Sequence, residues 1–224
     1  EQVREAIPGA TIVPPYVGDT ITRAIADGRL SRCLEVGMAT GSTAAYMLRA
    51  VDALGGGEVV SIDRAQTTLY HGVGVQTVAR TGLARLHTLI ENDSIVALFD
   101  LWRAGRRFDF VFMDGWKTFD HLAAELYFVA RLLERDGVVM FDDYQMPSVR
   151  RAVAMLEGHY AMDRVNLIPA SALPELTVHA LLEVRRLHLS SAIALVHGSV
   201  ASLRKRAEPD ELAVTKDWNF YAPF

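Results

Sequence analysis

The chain has 224 residues, half of them apolar and 22% charged, with 16 Gly and 8 Pro. This excludes a disordered, fibrous or collagen-like chain and suits one large domain with a substantial core. Against 27 acidic side chains stand 23 basic ones, a formal charge of −4 that argues against nucleic acid as a partner.

Pro14 and Pro15 introduce a first expected helix, Tyr16–Asp27, placed to cover the sheet. Short runs rich in Val, Ile, Leu and Phe then read as buried strands: Arg32–Val36, Val59–Asp63, Arg85–Ile90, Phe108–Met113 and Val138–Phe141. Between and after them, Thr43–Leu54, Thr67–Thr81, Ser94–Ala104, Thr118–Glu134 and Ser148–Glu157 place apolar residues three and four apart, the spacing of an amphipathic helix. Gly82 is placed to cap the second of these in the left-handed conformation. Past about residue 158 the alternation loosens, with strands expected at Arg164–Ile168 and Ile193–His197 and a helical insertion over Leu173–Leu189 between them.

Strand–helix alternation with continuously apolar strands predicts an α/β fold, Rossmann-like and doubly wound: a mostly parallel seven-stranded sheet with helices on both faces. A single domain spans 1–224. It comprises an N-terminal helical segment (1–29), a core (30–170), the possible insertion (171–190), and a last strand with an aromatic tail (191–224). Trp218, Phe220, Tyr221 and Phe224 crowd that tail, which suggests docking on this chain or on a second copy in a dimer. The lone Cys33 excludes an intrachain disulfide and a cysteine-rich zinc site and suits a reducing, cytoplasmic setting. No apolar run approaches the roughly 18 residues of a membrane span, and the start lacks a signal pattern.

In such a fold ligands bind beyond the carboxyl ends of the strands. The first strand runs into Glu35-Val-Gly37-Met38-Ala-Thr-Gly41-Ser42-Thr43, where two glycines permit a tight turn and close backbone approach, and helix amides at Ser42 and Thr43 face the cleft. Asp63, closing the second strand, stands where a carboxylate accepts ribose hydroxyls. Ala39 occupies the position at which a dinucleotide fingerprint needs glycine, and neither a Tyr-x-x-x-Lys pair nor a phosphate loop is present. The E-x-G-x-x-x-G-x-[ST] loop resembles motif I of the class I S-adenosylmethionine-dependent methyltransferases, and the likeness extends from Tyr16 to about Val153. That resemblance implies S-adenosylmethionine as cofactor, held by the glycine loop, by Asp63 with Arg64 at the ribose, and by Asp93 and Ser94 beside the adenine. From the residues alone, Asp93 reads equally as the cap of the helix beginning at Ser94.

Asp114 ends the fourth strand, Asp142 and Asp143 end the fifth, and all lie on the ligand side of a parallel sheet. Three carboxylates converging there would repel, which a hard divalent cation such as Mg²⁺ would resolve. Lys117 follows Asp114 by three residues and, unlike arginine, can act as a base when desolvated. The string Asp114-x-Trp116-Lys117 followed by the acidic pair resembles the catechol O-methyltransferase group. The resemblance implies Mg²⁺ on Asp114, Asp142 and Asp143, Trp116 packed on the adenine side and Lys117 as the base. Gly115 departs from the His common in that group, and Asp143 from its Asn. Asp142-Asp143-Tyr144 with Pro147 and Arg151-Ala152-Val153 also resembles the sugar O-methyltransferases of antibiotic biosynthesis, in which a carboxylate can serve as base. The expected activity is Mg²⁺-dependent methyl transfer to a hydroxyl of a small molecule, a catechol, phenol or sugar diol of secondary metabolism. The alternatives are a metal-independent small-molecule methyltransferase and a non-catalytic cofactor-binding assembly protein.

Overall fold

The computed structural model describes residues 12–168 and 200–209. Its strands are β1 (Arg32–Val36), β2 (Glu58–Ile62), β3 (His87–Ile90), β4 (Phe108–Met113), β5 (Leu133–Phe141), β6 (Met162–Val165) and β7 (Ala201–Lys205). They form one sheet in the order β3-β2-β1-β4-β5-β7-β6. From β3 to β5 all neighbours run parallel, and β7 enters antiparallel between β5 and β6. Each parallel step needs a crossover, and a helix is the compact way to make it.

The helices are α1 (Pro15–Gly28), α2 (Ser42–Ala53), α3 (Val73–Arg80), α4 (Ser94–Arg103), α5 (Phe119–Leu132) and α6 (Pro147–His159). Alternation along the strands sorts them into two layers. Leu34, Val36, Val111, Met113, Val139 and Phe141 pack with α4, α5 and α6, whereas Cys33, Phe110, Phe112, Val138 and Met140 pack with α1, α2 and α3. The central strands are therefore apolar on both sides, which is why they read as unbroken hydrophobic runs rather than alternating ones. Burying each such side chain is worth about 1.5–3 kcal/mol, and the two layers clamp the sheet so that loops at its carboxyl edge are firmly placed.

Three departures from the sequence reading have local causes. The helix expected over Thr67–Thr81 is confined to Val73–Arg80, because residues 64–72 are drawn into a turn. In that turn the Thr67 N–H donates to Glu91 Oε1 at 2.6 Å, and His71 and Gly72 take φ of 48° and 72°. The fifth strand begins at Leu133, which pairs with Phe108, rather than at Val138; a left-handed Asp136 (φ 64°) and a register shift between Phe108 and Phe110 reconcile the extra length. The last described strand, β7, was hidden by its basic end: Lys205 is fully buried, donating from Nζ to the Leu133 carbonyl and to Glu208 Oε2. The expected strand at Ile193–His197, the insertion over Leu173–Leu189 (171–190) and the aromatic tail (Lys216–Phe224) lie outside the described residues. Gly82 has φ 72°, as its capping position requires. Among the described residues no helix is long and apolar enough to cross a membrane.

Candidate active site

β1 ends at Val36, and Gly37 turns the chain with φ 92°. A Cβ there would stand 2.4 Å from the Asp114 carbonyl oxygen, so the loops after β1 and β4 approach in a way only glycine permits. Gly41 (φ 75°) precedes α2, and a Cβ on it would stand 2.7 Å from the Gly74 carbonyl. Between them Ala39 is held at φ 45° by Asp63, whose Oδ2 accepts from the Ala39 N–H at 2.7 Å while Oδ1 accepts from the Ala65 N–H at 2.7 Å. Gln66 closes the clamp, donating from Nε2 to the Ala39 carbonyl at 2.6 Å and to Asp63 Oδ2 at 3.3 Å.

A cavity of about 490 Å³ opens over this clamp at the carboxyl ends of β1 to β4. Gly37, Ala39 and Asp63 line its glycine-loop side, and Ile62, Leu69 and Tyr70 add apolar wall. Asn92, Asp93, Ser94 and His121 line another part, and Asp114, Gly115 and Trp116 come from the loop after β4. The structure thus brings together Gly37, Asp63, Arg64, Asp93, Ser94, Asp114 and Trp116 from the residues singled out in sequence. Asp93 lines the cavity and also caps α4, its Oδ1 accepting from the Ile95 N–H at 3.0 Å. Leu69, Tyr70, Asn92 and His121 were not singled out; the first two stand in the turn mistaken for helix, and His121 sits on a helix face read only for its apolar stripe.

Glu35, Met38, Gly41, Ser42 and Thr43 do not line the cavity. Met38 is 2% exposed and belongs to the core, and Gly41, Ser42 and Thr43 shape the start of α2. Glu35 lies on β1 with no exposed surface; its Oε2 accepts from Ser61 Oγ at 2.6 Å and its Oε1 has no hydrogen-bond partner among the described residues. Burial pushes its carboxyl up to about 8, against the opposing pull of the Ser61 hydroxyl. A carboxyl raised on folding contributes stability below its unfolded value near 4.5 and loses it as pH climbs through 8. Glu35→Gln is therefore expected to match the wild-type thermal midpoint below about pH 4.5 and to exceed it increasingly as pH climbs to 8 and beyond. A variant equally alkali-sensitive would show that Glu35 is not the titrating group.

Asp114, Asp142 and Asp143 gather with the Lys117 ammonium where β4 and β5 end. Lys117 Nζ lies 3.0 Å from Asp114 Oδ1 and 3.5 Å from Asp143 Oδ2. Burial alone would lower the lysine, but Asp114, Asp143 and Asp142 outweigh it and hold the ammonium above its ordinary range. Burial, reinforced by Asp114 and Asp143, pushes Asp142 up to about 7. Asp114 is likewise raised by burial, although Lys117 opposes it. In this arrangement the carboxylates favour the ammonium form of Lys117, which opposes the proton-accepting role expected of it from sequence. Among the described residues no three His, Cys, Asp or Glu side chains are placed to hold one metal ion.

Residues 34–144 match the family described as a methyltransferase domain, a span running from β1 to just past β5. No curated protein sequence matches the chain. Among solved structures, the O-methyltransferase TomG of Streptomyces achromogenes, in complex with SAM, is 22% identical with a TM-score of 0.62, covering 73% of this chain and 78% of its own. An O-methyltransferase of Bacillus cereus in complex with SAH is 17% identical with a TM-score of 0.65, covering 73% and 79%. A methyltransferase of Podospora anserina, PaMTH1, bound to SAH, is 15% identical with a TM-score of 0.66, covering 92% and 85%. At such identities these likenesses establish the fold, and the family match places a methyltransferase domain on the glycine loop, Asp63 and Asp114.

Proposed function

We propose that this chain, with its methyltransferase domain over residues 34–144, transfers the methyl group of S-adenosylmethionine to a hydroxyl of a small molecule, a catechol, phenol or sugar diol. The observation that carries this reading is the shared Asp114, which lines the cavity over the glycine loop and pairs with Lys117 in the acidic cluster. A cavity of about 490 Å³ suits a ligand of the cofactor's size. Its clamp offers Asp63 to the ribose hydroxyls, and the adjoining cluster offers charged groups to a hydroxyl acceptor. Methyl transfer is a displacement between two bound reactants, so the protein's main contribution is to fix attack distance and direction. Lys117, held as an ammonium, would stabilise the oxyanion that develops as the hydroxyl passes its proton to a carboxylate of the cluster.

The donor set is chemically suited to a hard cation, because three carboxylates face a single ammonium, and Asp114 and Asp143 add to the burial that raises Asp142. Asp114, Asp142 and Asp143, which as placed do not form a ready metal-binding group, would have to draw together to hold Mg²⁺, which when bound would lower the pKa of the accepting hydroxyl. A metal-independent reaction is favoured instead by Lys117 itself, which already bridges Asp114 and Asp143. The two readings separate in a methyl-transfer assay offering a catechol and a vicinal-diol glycoside, run after EDTA treatment with and without added Mg²⁺. Turnover of one acceptor is expected, falling at least tenfold in EDTA and returning with Mg²⁺. Turnover indifferent to EDTA would establish the metal-independent reading, and none on any hydroxylated acceptor despite tight cofactor binding would overturn the proposed activity.

A further inference from the structure

Ser94 opens α4 and His121 stands in the first turn of α5, and both line the cavity. Behind them Glu125, one turn further along α5, has no exposed surface. Its Oε1 accepts from Ser94 Oγ at 2.6 Å and lies 3.2 Å from His121 Nε2, and Ser94 Oγ lies 3.0 Å from the same nitrogen. Glu125 Oε2 has no hydrogen-bond partner among the described residues. An acid at a fully buried helix position is costly, and here its placement serves one purpose visible in the contacts, to receive a proton donor from each of two cavity residues.

A hydrolytic Ser-His-acid relay is excluded by the connectivity. Such a relay needs the imidazole between the other two, one ring nitrogen on the hydroxyl and the other on the acid. Here serine and histidine converge through one nitrogen on one carboxylate oxygen. The consequence is a fixed tautomer. With the Nε2–H directed at Glu125, Nδ1 is the ring nitrogen left to accept.

The orientation of the cofactor follows from the same cavity. Its sulfonium end must face the cluster beyond Asp114, where the acceptor hydroxyl is handled, and its ribose belongs at Asp63. The base is left with the part lined by Asn92, Asp93, Ser94 and His121, where Trp116, 67% exposed, offers a flat ring at the rim.

We propose that His121, oriented by Glu125 and Ser94, is the residue that selects adenine, its Nδ1 accepting a hydrogen bond from the exocyclic amino group. This rests on reading the cavity as the cofactor site. A base with a carbonyl in place of that amine would set acceptor against acceptor, and a site built around one hydrogen bond rejects the analogue that cannot make it. Glu125 is a positioning residue, since it acts on the base only through the imidazole.

The test is calorimetric binding of S-adenosylhomocysteine and S-inosylhomocysteine to wild type, His121→Leu, His121→Asn and Glu125→Leu. Because the readout is the ratio of two affinities on the same protein, a partly unfolded variant does not disturb it. Wild type is expected to prefer the adenosyl ligand at least tenfold. His121→Leu should bring the ratio near one, mainly by weakening the adenosyl ligand, and Glu125→Leu should lower it by freeing the tautomer. His121→Asn, whose side-chain oxygen can accept, should recover part of it. An unchanged ratio in His121→Leu would overturn the proposal while leaving the cofactor reading intact. Failure of wild type to bind either ligand would overturn the cofactor reading itself, and the role of His121 with it.

Discussion

Asp63→Ala is expected to weaken S-adenosylhomocysteine binding at least about 100-fold, about 2.7 kcal/mol, while the protein remains folded. The size of the effect comes from two losses at once. Asp63 would no longer accept the ribose hydroxyls, and the Ala39 and Ala65 N–H groups and the Gln66 amide would lose their common acceptor. Leaving such donors unpaired costs about 1–3 kcal/mol each where water cannot replace the carboxylate, and Ala39, at φ 45°, would keep only the Gln66 amide on its carbonyl to hold its side of the clamp. The glycine loop would then sample shapes that do not fit the ligand. Asp63→Asn keeps one oxygen but turns an NH₂ towards donors, so its loss should fall between wild type and alanine. Calorimetry reads both. An unaltered dissociation constant in Asp63→Ala would remove Asp63 from the cofactor site and leave it a purely structural clamp.

Lys117→Met should lower kcat by about 100-fold or more with little change in cofactor affinity, because the lysine faces the acidic cluster rather than lining the cofactor cavity. The substitution removes the one ammonium set against Asp114 and Asp143, so the carboxylates there should bind protons more tightly still. Carboxyls raised on folding stabilise the protein below their unfolded values and lose that contribution as pH rises, so the variant's thermal midpoint should trail wild type more at pH 8 than at pH 5. Equal deficits at both pH values would contradict that coupling. Lys117→Arg separates charge from proton transfer, since a guanidinium keeps its proton in a protein. Activity in Lys117→Arg at least tenfold above Lys117→Met would identify the positive charge as the working feature. Equal loss in both would return the proton-accepting role to Lys117.

Much of this was legible because it depends on short-range rules. Gly37 and Gly41 had to be glycines for steric reasons visible in their spacing, and Asp63 and Asp114 had to stand at the cavity because strand ends in a parallel sheet face one edge. His121 and Glu125 were not legible in the same way. Their spacing of four residues on an otherwise amphipathic helix is also that of an ordinary surface ion pair, and only the packing of α4 against α5 makes Glu125 a buried acceptor for Ser94.

The sequence by itself determined the fold class, the strand–helix order through β5 and α6, the glycine loop and the gathering of Asp114, Asp142, Asp143 and Lys117. These follow from hydrophobic periodicity and from the chirality of parallel crossovers, both written locally in the chain. Only the tertiary structure decided that Glu35 is fully buried and does not line the cavity, that β7 turns antiparallel between β5 and β6, and that Lys117 sits against two carboxylates. Each of these depends on which distant groups come to lie beside a residue. The burial that raises Glu35 and the carboxylates that hold the Lys117 proton arise from strands far apart in sequence.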